Sequence, residues 1–269
     1  MNLAAAYIFG VKKQVNEIIW DLSNAVYNGV FFNTNLGDTR AFYFSEIGDK
    51  MYIADRSTNI IYQYSLTTNF DLTTAVYDSI TKNISSQSND TRGLYFSPDG
   101  LRMYAMPPTN DNVYQFSLTT AWNVSTASYD NKSLLVRPQE SSPACLRFKP
   151  DGTKMYVAGL SDRLFEYTLS TPWDVSTGVY SAFKDLPTSV DTRGLAIKED
   201  GTKLIIADAL PAGRLSQYTF ATPWDLSTLT SDDISFVSPG SPYDLYVSND
   251  GTKIYTLDVN NKRVYEIDM

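Results

Sequence analysis

The sequence predicts an all-β chain folded as a five-bladed β-propeller of four-stranded antiparallel blades, with the last blade closed by the N-terminal segment. Three observations carry this. First, an aromatic leads a short turn segment at Trp20, Phe70, Trp122, Trp173 and Trp224, in steps of 50, 52, 51 and 51 residues. The slot holds all 4 tryptophans of the chain. Second, a glycine turn recurs in the same period at Gly48, Gly100, Gly152, Gly201 and Gly251. Each glycine is followed two residues later by a cation: Lys50, Arg102, Lys154, Lys203 and Lys253. Third, the last repeat is cut short after VYEID, and the aromatic-led segment it lacks stands at Trp20–Asn33.

The first full repeat shows why the unit is four strands. Ala41–Phe44 and Met51–Ala54 are short apolar, aromatic-rich strands around the turn Glu46–Asp49, where Gly48 supplies the positive φ that a bulged hairpin needs. Arg56–Asn59 is a polar loop, Ile60–Tyr64 a third strand, and Ser65–Thr74 a longer connection. Ala75–Ile80 is a fourth, more polar strand, and the tract Thr81–Asn89 leads to the next repeat. Helical periodicity is missing throughout. The repeats span about 38–89, 90–141, 142–190, 191–240 and 241–269, all in one domain. Residues 20–37 form the closing strand, because a last blade shared by both termini leaves no open edge in the ring. Residues 1–19 are then an N-terminal extension, either an extra strand on that blade or a contact with another chain.

Composition excludes several chemistries. Histidine is absent, which removes Ser-His-Asp and Cys-His catalysis and every histidine-based metal site. Cys145 is alone, so it forms no intrachain disulfide. The net charge of −8 repels phosphate backbones and argues against nucleic acid. No apolar run reaches the roughly 20 residues of a membrane helix. The start, MNLAAAYIFGVKK, has its lysines after a short apolar run rather than before it, so a cleaved signal peptide is not expected.

Each repeated slot has a physical reading. In the aromatic slot, Asp21, Asp71, Asn123, Asp174 and Asp225 follow the ring. Such a side chain fixes a turn by bonding its own backbone two residues on, leaving the ring to lie against a neighbouring blade. The sharper alternative is a sugar-stacking aromatic in every blade. The innermost strand starts as Asp38-Thr39-Arg40, Asp90-Thr91-Arg92 and Asp191-Thr192-Arg193 in repeats one, two and four. Repeats three and five have Ser142-Pro143-Ala144 and Ser241-Pro242-Tyr243. These Asp and Arg residues, with Asp244, are the candidate ligand site at one channel mouth; the bland reading is Asp–Arg pairing between adjacent blades. The next residue is small at Ala41, Gly93, Cys145 and Gly194, as crowding at a ring axis requires; Asp244 breaks the rule. Cys145 is therefore read as a buried spacer, with no group nearby to activate it. Asp55, Asp208 and Asp258, after the second strand, read as solvated turn residues, since the loop at Asp258 lacks the glycine and glutamate of a calcium loop. Gln63, Gln115, Glu166, Gln217 and Glu266 are mid-strand polar residues that either bond between blades or face the polar side of the sheet. Apart from Asp244, no carboxylates stand out from the repeat background, so no catalytic or metal site and no cofactor is expected.

Asp151–Val157 (DGTKMYV) and Tyr167–Thr177 (YTLSTPWDVST) resemble a propeller repeat of predicted proteins from marine bacteria and their phages. Repeats two, four and five match it in part. The resemblance implies a virion structural or surface attachment protein, a tail, fibre or capsid-associated part, working in a larger assembly with other virion or cell-surface proteins. A location on the virion or cell surface follows from it. The alternatives are a glycan-binding lectin propeller and a metal-dependent hydrolase or lactonase.

Overall fold

In the computed structural model, residues 20–269 except 88, 188, 190, 211 and 212 are described. They form five sheets of four antiparallel strands. The segment ahead of residue 20, expected as an extra strand or an intermolecular contact, lies outside the described residues. Blade one comprises β2 (Thr39–Phe44), β3 (Lys50–Asp55), β4 (Ile60–Leu66) and β5 (Ala75–Asn83). Blade two comprises β6 (Gly93–Phe96), β7 (Arg102–Met106), β8 (Asn112–Leu118) and β9 (Ala127–Leu135). Blade three comprises β10 (Pro143–Phe148), β11 (Lys154–Gly159), β12 (Arg163–Leu169) and β13 (Gly178–Asp185). Blade four comprises β14 (Thr192–Ile197), β15 (Lys203–Asp208), β16 (Arg214–Phe220) and β17 (Leu229–Val237). Blade five comprises β18 (Pro242–Val247), β19 (Lys253–Asp258) and β20 (Arg263–Asp268), with β1 (Val26–Asn33) as its outer strand.

Closure is as the truncated last repeat predicts. β1 pairs antiparallel with β20, from Val26 opposite Asp268 to Asn33 opposite Arg263. Asn28 Nδ2 donates to the Asp268 carboxylate at 2.8 Å, and the Arg263 guanidinium lies 4.0 Å from the Phe31 ring centroid. The outer edge of β20 is thereby covered.

The innermost strands β2, β6, β10, β14 and β18 neighbour one another around the axis. Strands next to them are buried on both faces because blade stacks on blade; β3 has five successive buried residues, Met51–Asp55. The outer strands alternate instead, as the sequence reads them, with exposed Val76, Val179 and Val237 on their solvent face.

The aromatic slot holds the blades together. Phe70, Trp122, Trp173 and Trp224 adopt positive φ of 60, 63, 67 and 61°. This turns each ring flat onto the turn glycine of its own blade, where a Cβ on Gly48, Gly100, Gly152 or Gly201 would meet ring atoms at 2.3–2.5 Å. Each backbone N–H donates to that glycine's carbonyl. The carbonyl of the aromatic in turn accepts a tyrosine hydroxyl from the preceding blade: Tyr52 to Trp122 at 2.6 Å, Tyr104 to Trp173 at 2.7 Å, and Tyr255 to Phe70 across the ring closure. Asp21, Asp71, Asn123, Asp174 and Asp225 each accept from the backbone two residues on and cap a short 3-10 turn, as expected.

The mid-strand polar residues also bond between blades. Gln63 accepts from Val124 N, Gln115 from Val175 N, and Gln217 from Leu22 N. In those three blades the glutamine also donates to an outer-strand aspartate, Asp78, Asp130 or Asp232. Where the third strand carries Glu166 or Glu266 instead, Ser181 or Asn28 stands at the matching outer position, and Lys154 or Lys253 pairs with the glutamate. In blades one, three, four and five the repeated lysine thus meets a carboxylate of the third or fourth strand, whereas in blade two Arg102 pairs with Asp99 of the turn.

Two expectations need correction. Asp55, Asp208 and Asp258 are not solvated turn residues; they are 2%, 0% and 0% exposed. Asp55 accepts from Gly37 N and Asp38 N in the segment entering blade one and from Ser57 N in the β3–β4 turn, whereas Asp258 accepts from Asn260 N and Asn261 Nδ2 in the β19–β20 turn. Backbone donors in a buried loop need an acceptor, which the sequence alone does not reveal. The Asp–Arg pairs, in turn, form mainly within each triplet rather than between blades, as described next.

Candidate functional site

The channel is built in levels by the innermost strands. At the upper mouth, Arg40 pairs with Asp38 at 2.7 Å, Arg92 with Asp90 at 2.9 Å and Arg193 with Asp191 at 2.6 Å, each two residues apart. The connection between blades comes from Arg56, which reaches both Asp38 and Asp90. Residues 40, 144, 193 and 243 are bulge positions, skipped in the pairing of β2, β10, β14 and β18 with their neighbours. A bulge re-aims a side chain, and here it brings Arg40 and Arg193 over the two sides of one ring, 4.6 and 4.9 Å from the Tyr243 centroid. Tyr243 thus separates two guanidiniums that would otherwise repel. The predicted site residues at this mouth are largely neutralised by one another.

Below lies the small-residue level. A Cβ on Gly93 would meet Leu146 at 2.5 Å, and one on Gly194 would meet the Leu245 backbone at 2.7 Å, so crowding explains the slot. Cys145 is fully buried against the Ala158 carbonyl, and burial pushes its thiol far up, as a spacer reading expects. Asp244, the exception, reaches across the axis. Its carboxylate accepts from Phe42 N at 3.0 Å and Leu245 N at 2.8 Å. It also lies 3.6 Å from the guanidinium of Arg147. Arg147 donates to the Leu245 carbonyl at 2.6 Å. Blades one, three and five are stitched together at this height. Burial raises Asp244 to about 7, against the opposing pull of Arg147 and the backbone donors.

Two residues along the same face stand Tyr43, Tyr95, Arg147, Ala196 and Tyr246, all lining one cavity. The three tyrosine rings meet edge to face around Tyr43, with centroids 5.3 Å to Tyr95 and 5.2 Å to Tyr246. The Arg147 guanidinium is 5.8 Å from the Tyr43 centroid. The first turn residues, Glu46, Pro98, Pro150, Glu199 and Asn249, form the rim. The cavity measures about 370 Å³ and extends outward to Trp20 and Trp224.

At that rim Glu46 and Glu199 line the cavity together. Asn249 donates to the Glu46 carboxylate at 2.8 Å and to its backbone carbonyl. Partial burial and the nearby Glu199 charge hold the Glu46 proton well above the usual carboxylate range. These two side chains come from blades one and four, 153 residues apart in sequence. The expectation that no paired carboxylates depart from the repeat is therefore corrected. The signal was present: Glu46, Glu199 and Asn249 occupy a slot that is proline in the other two repeats, and Arg147 a slot that is tyrosine in three. Comparing repeats slot by slot for unlike residues would have found both.

The aromatic slot is placed elsewhere. Phe70, Trp122 and Trp173 are part-buried against their glycines and neighbouring blades, whereas Trp20 and Trp224 also form the outer wall of the cavity.

Known proteins share the architecture and little more. No family model matches the chain, and no curated protein matches it. Among solved structures, a candidate 6-phosphogluconolactonase from Bacteroides fragilis NCTC 9343 is similar at 12% identity and a TM-score of 0.53, over 91% of this chain and 79% of that one. Another candidate 6-phosphogluconolactonase, from Bacteroides uniformis ATCC 8492, is similar at 14% identity and a TM-score of 0.52. That match covers 81% of this chain and 63% of the other. A protein of unknown function from Desulfotomaculum acetoxidans DSM 771 matches at 10% identity, over 82% of this chain and 62% of that one, with a TM-score of 0.49. At such identities the likeness shows the fold alone. The chain is a five-bladed propeller.

Proposed function

We propose that this protein is a non-catalytic recognition module, an attachment or assembly part of a virion or cell surface, that takes its ligand at the lower mouth of the channel. One observation carries the reading. The repeated slots are spent on joining blades, while the lower mouth gathers unlike residues around a blind cavity: Tyr43, Tyr95 and Tyr246 as walls, Arg147 as floor, and Glu46, Glu199 and Asn249 at the rim. A concave site with apolar walls and few convergent polar groups is what small-group recognition needs. The virion or surface setting, with neighbouring virion or cell-surface proteins as partners, is supported by the resemblance of the repeat.

A second reading, a hydrolase, is favoured by the carboxyl pair, since a group that keeps its proton near neutrality can act as a general acid. A fragment screen by ligand-observed NMR tests the first reading, run on the wild type and on Ala196→Phe, which fills the cavity. Binders displaced by the filled variant, with no turnover across an ester and lactone panel, are expected. Turnover abolished by Glu46→Gln would overturn the reading in favour of the hydrolase. A glycan array separates sugar from other ligands.

A further inference from the structure

We infer that the lower mouth binds an organic ammonium group, seated between the carboxylates of Glu46 and Glu199 and against the tyrosine faces of the channel. The inference rests on the recognition reading above and names its ligand.

The charges around the cavity decide it. Lys198 is paired with Asp200 at 2.9 Å, and Arg147 lies against Asp244 and the carbonyls of Leu146 and Leu245. That leaves Glu46 and Glu199, which share the rim of the cavity, with Asn249 as the donor to Glu46. Burial, with the nearby Glu199 charge, pushes Glu46 up to about 7, so the ligand-free site keeps a proton on Glu46 near neutrality. An ammonium group replaces that proton: its single charge is shared between the two carboxylates, and any N–H groups it carries supply donors that they lack. Tyr43, Tyr95 and Tyr246, which line the cavity, provide the second half of the recognition, because aromatic rings attract a cation and tolerate its alkyl substituents. Arg147, at the floor and 5.8 Å from Tyr43, already occupies one such face and sets the depth to which a second cation can enter. An anionic ligand would meet the two carboxylates first. A neutral polyol would satisfy Asn249 but leave the pair as it is.

The inference predicts proton release on binding, so affinity should rise with pH. Titration calorimetry of the intact chain with n-butylammonium, tetramethylammonium, n-butanol and Nα-acetyl-lysine amide tests it. The expected result is binding of the cations but not of n-butanol, weakening about tenfold per pH unit as the pH falls below 7. The two amine sources separate here, since a free amine and a lysine side chain differ only in the backbone that must clear the rim. Glu46→Gln with Glu199→Gln should lower cation affinity at least tenfold and abolish its pH dependence; far-ultraviolet circular dichroism confirms that the ring is intact. The inference is overturned if n-butanol binds as tightly as n-butylammonium, if affinity is independent of pH, or if the double variant binds unchanged. Should a neutral fragment be displaced by Ala196→Phe while no cation binds, the ammonium inference fails and the recognition reading stands. If nothing binds in a cavity-dependent way, both fail.

Discussion

One side chain of blade four helps to hold the N-terminal segment in the ring. Gln217, on β16, is buried, and its Oε1 accepts from Leu22 N at 2.8 Å, just ahead of β1. Its Nε2 donates to the Asp232 carboxylate at 2.7 Å. Gln217→Ala leaves a buried N–H without its acceptor, at about 1–3 kcal/mol, and removes one charge-assisted hydrogen bond. Asp232 keeps Lys203 and Thr219 as donors, so the second loss falls at the low end, near 1 kcal/mol. Because the two losses share a side chain and do not simply add, the expected total is about 3 kcal/mol. For a chain of this size that corresponds to roughly 6–12 °C in melting temperature. The distinguishing assay is amide exchange. Protection at Val26–Asn33 should fall well before that at Ala127–Leu135, the equivalent outer strand of blade two, where Gln63 and Gln115 are untouched. A loss under 1 kcal/mol, or exchange quickened evenly around the ring, would refute the claim that this bond secures the N-terminal segment.

Three further outcomes follow from the same geometry. Gly152→Ala should cost at least about 2 kcal/mol in denaturant unfolding, from a φ of +73° and a Cβ placed 2.5 Å from the Trp173 ring; a neutral substitution would mean the ring is not seated on the turn. Asp244 is held up at about 7 against an ordinary 3.8, so the unfolded chain releases this proton first as pH rises. Stability should therefore fall by up to about 1.4 kcal/mol per pH unit between pH 4 and 7, and Asp244→Asn should flatten the melting temperature measured across that window. Native Cys145 should resist a thiol reagent until the chain unfolds, since it is fully buried with its thiol far from ionising; rapid labelling of the folded protein would contradict its position at the ring axis.

Much of the architecture was legible from residue order. The spacing of Trp20, Phe70, Trp122, Trp173 and Trp224 set the number of blades, and the truncated last repeat pointed to β1 as its missing strand. Small residues at Gly93 and Gly194 marked the crowded axis. These are local consequences of turn chemistry and side-chain size, repeated often enough to be read. The candidate site was less so. Slots that repeat stand out in a sequence, as the Asp–Arg triplets do, yet those residues neutralise one another. The lower mouth is made of exceptions, and an exception in one repeat has no visible partner until the others are placed beside it.

Strand pattern, five-fold count and closure can be read from residue order, because each depends on neighbours in the chain or on a period within it. That Glu46 shares a rim with Glu199, that Asp244 reaches Phe42 and Arg147, and that Tyr243 lies between two arginines emerges only in three dimensions. The ring is the cause. Curling the blades about one axis brings side chains from distant repeats within a few ångströms, where charge and burial act on them together, and no spacing along the chain records that distance.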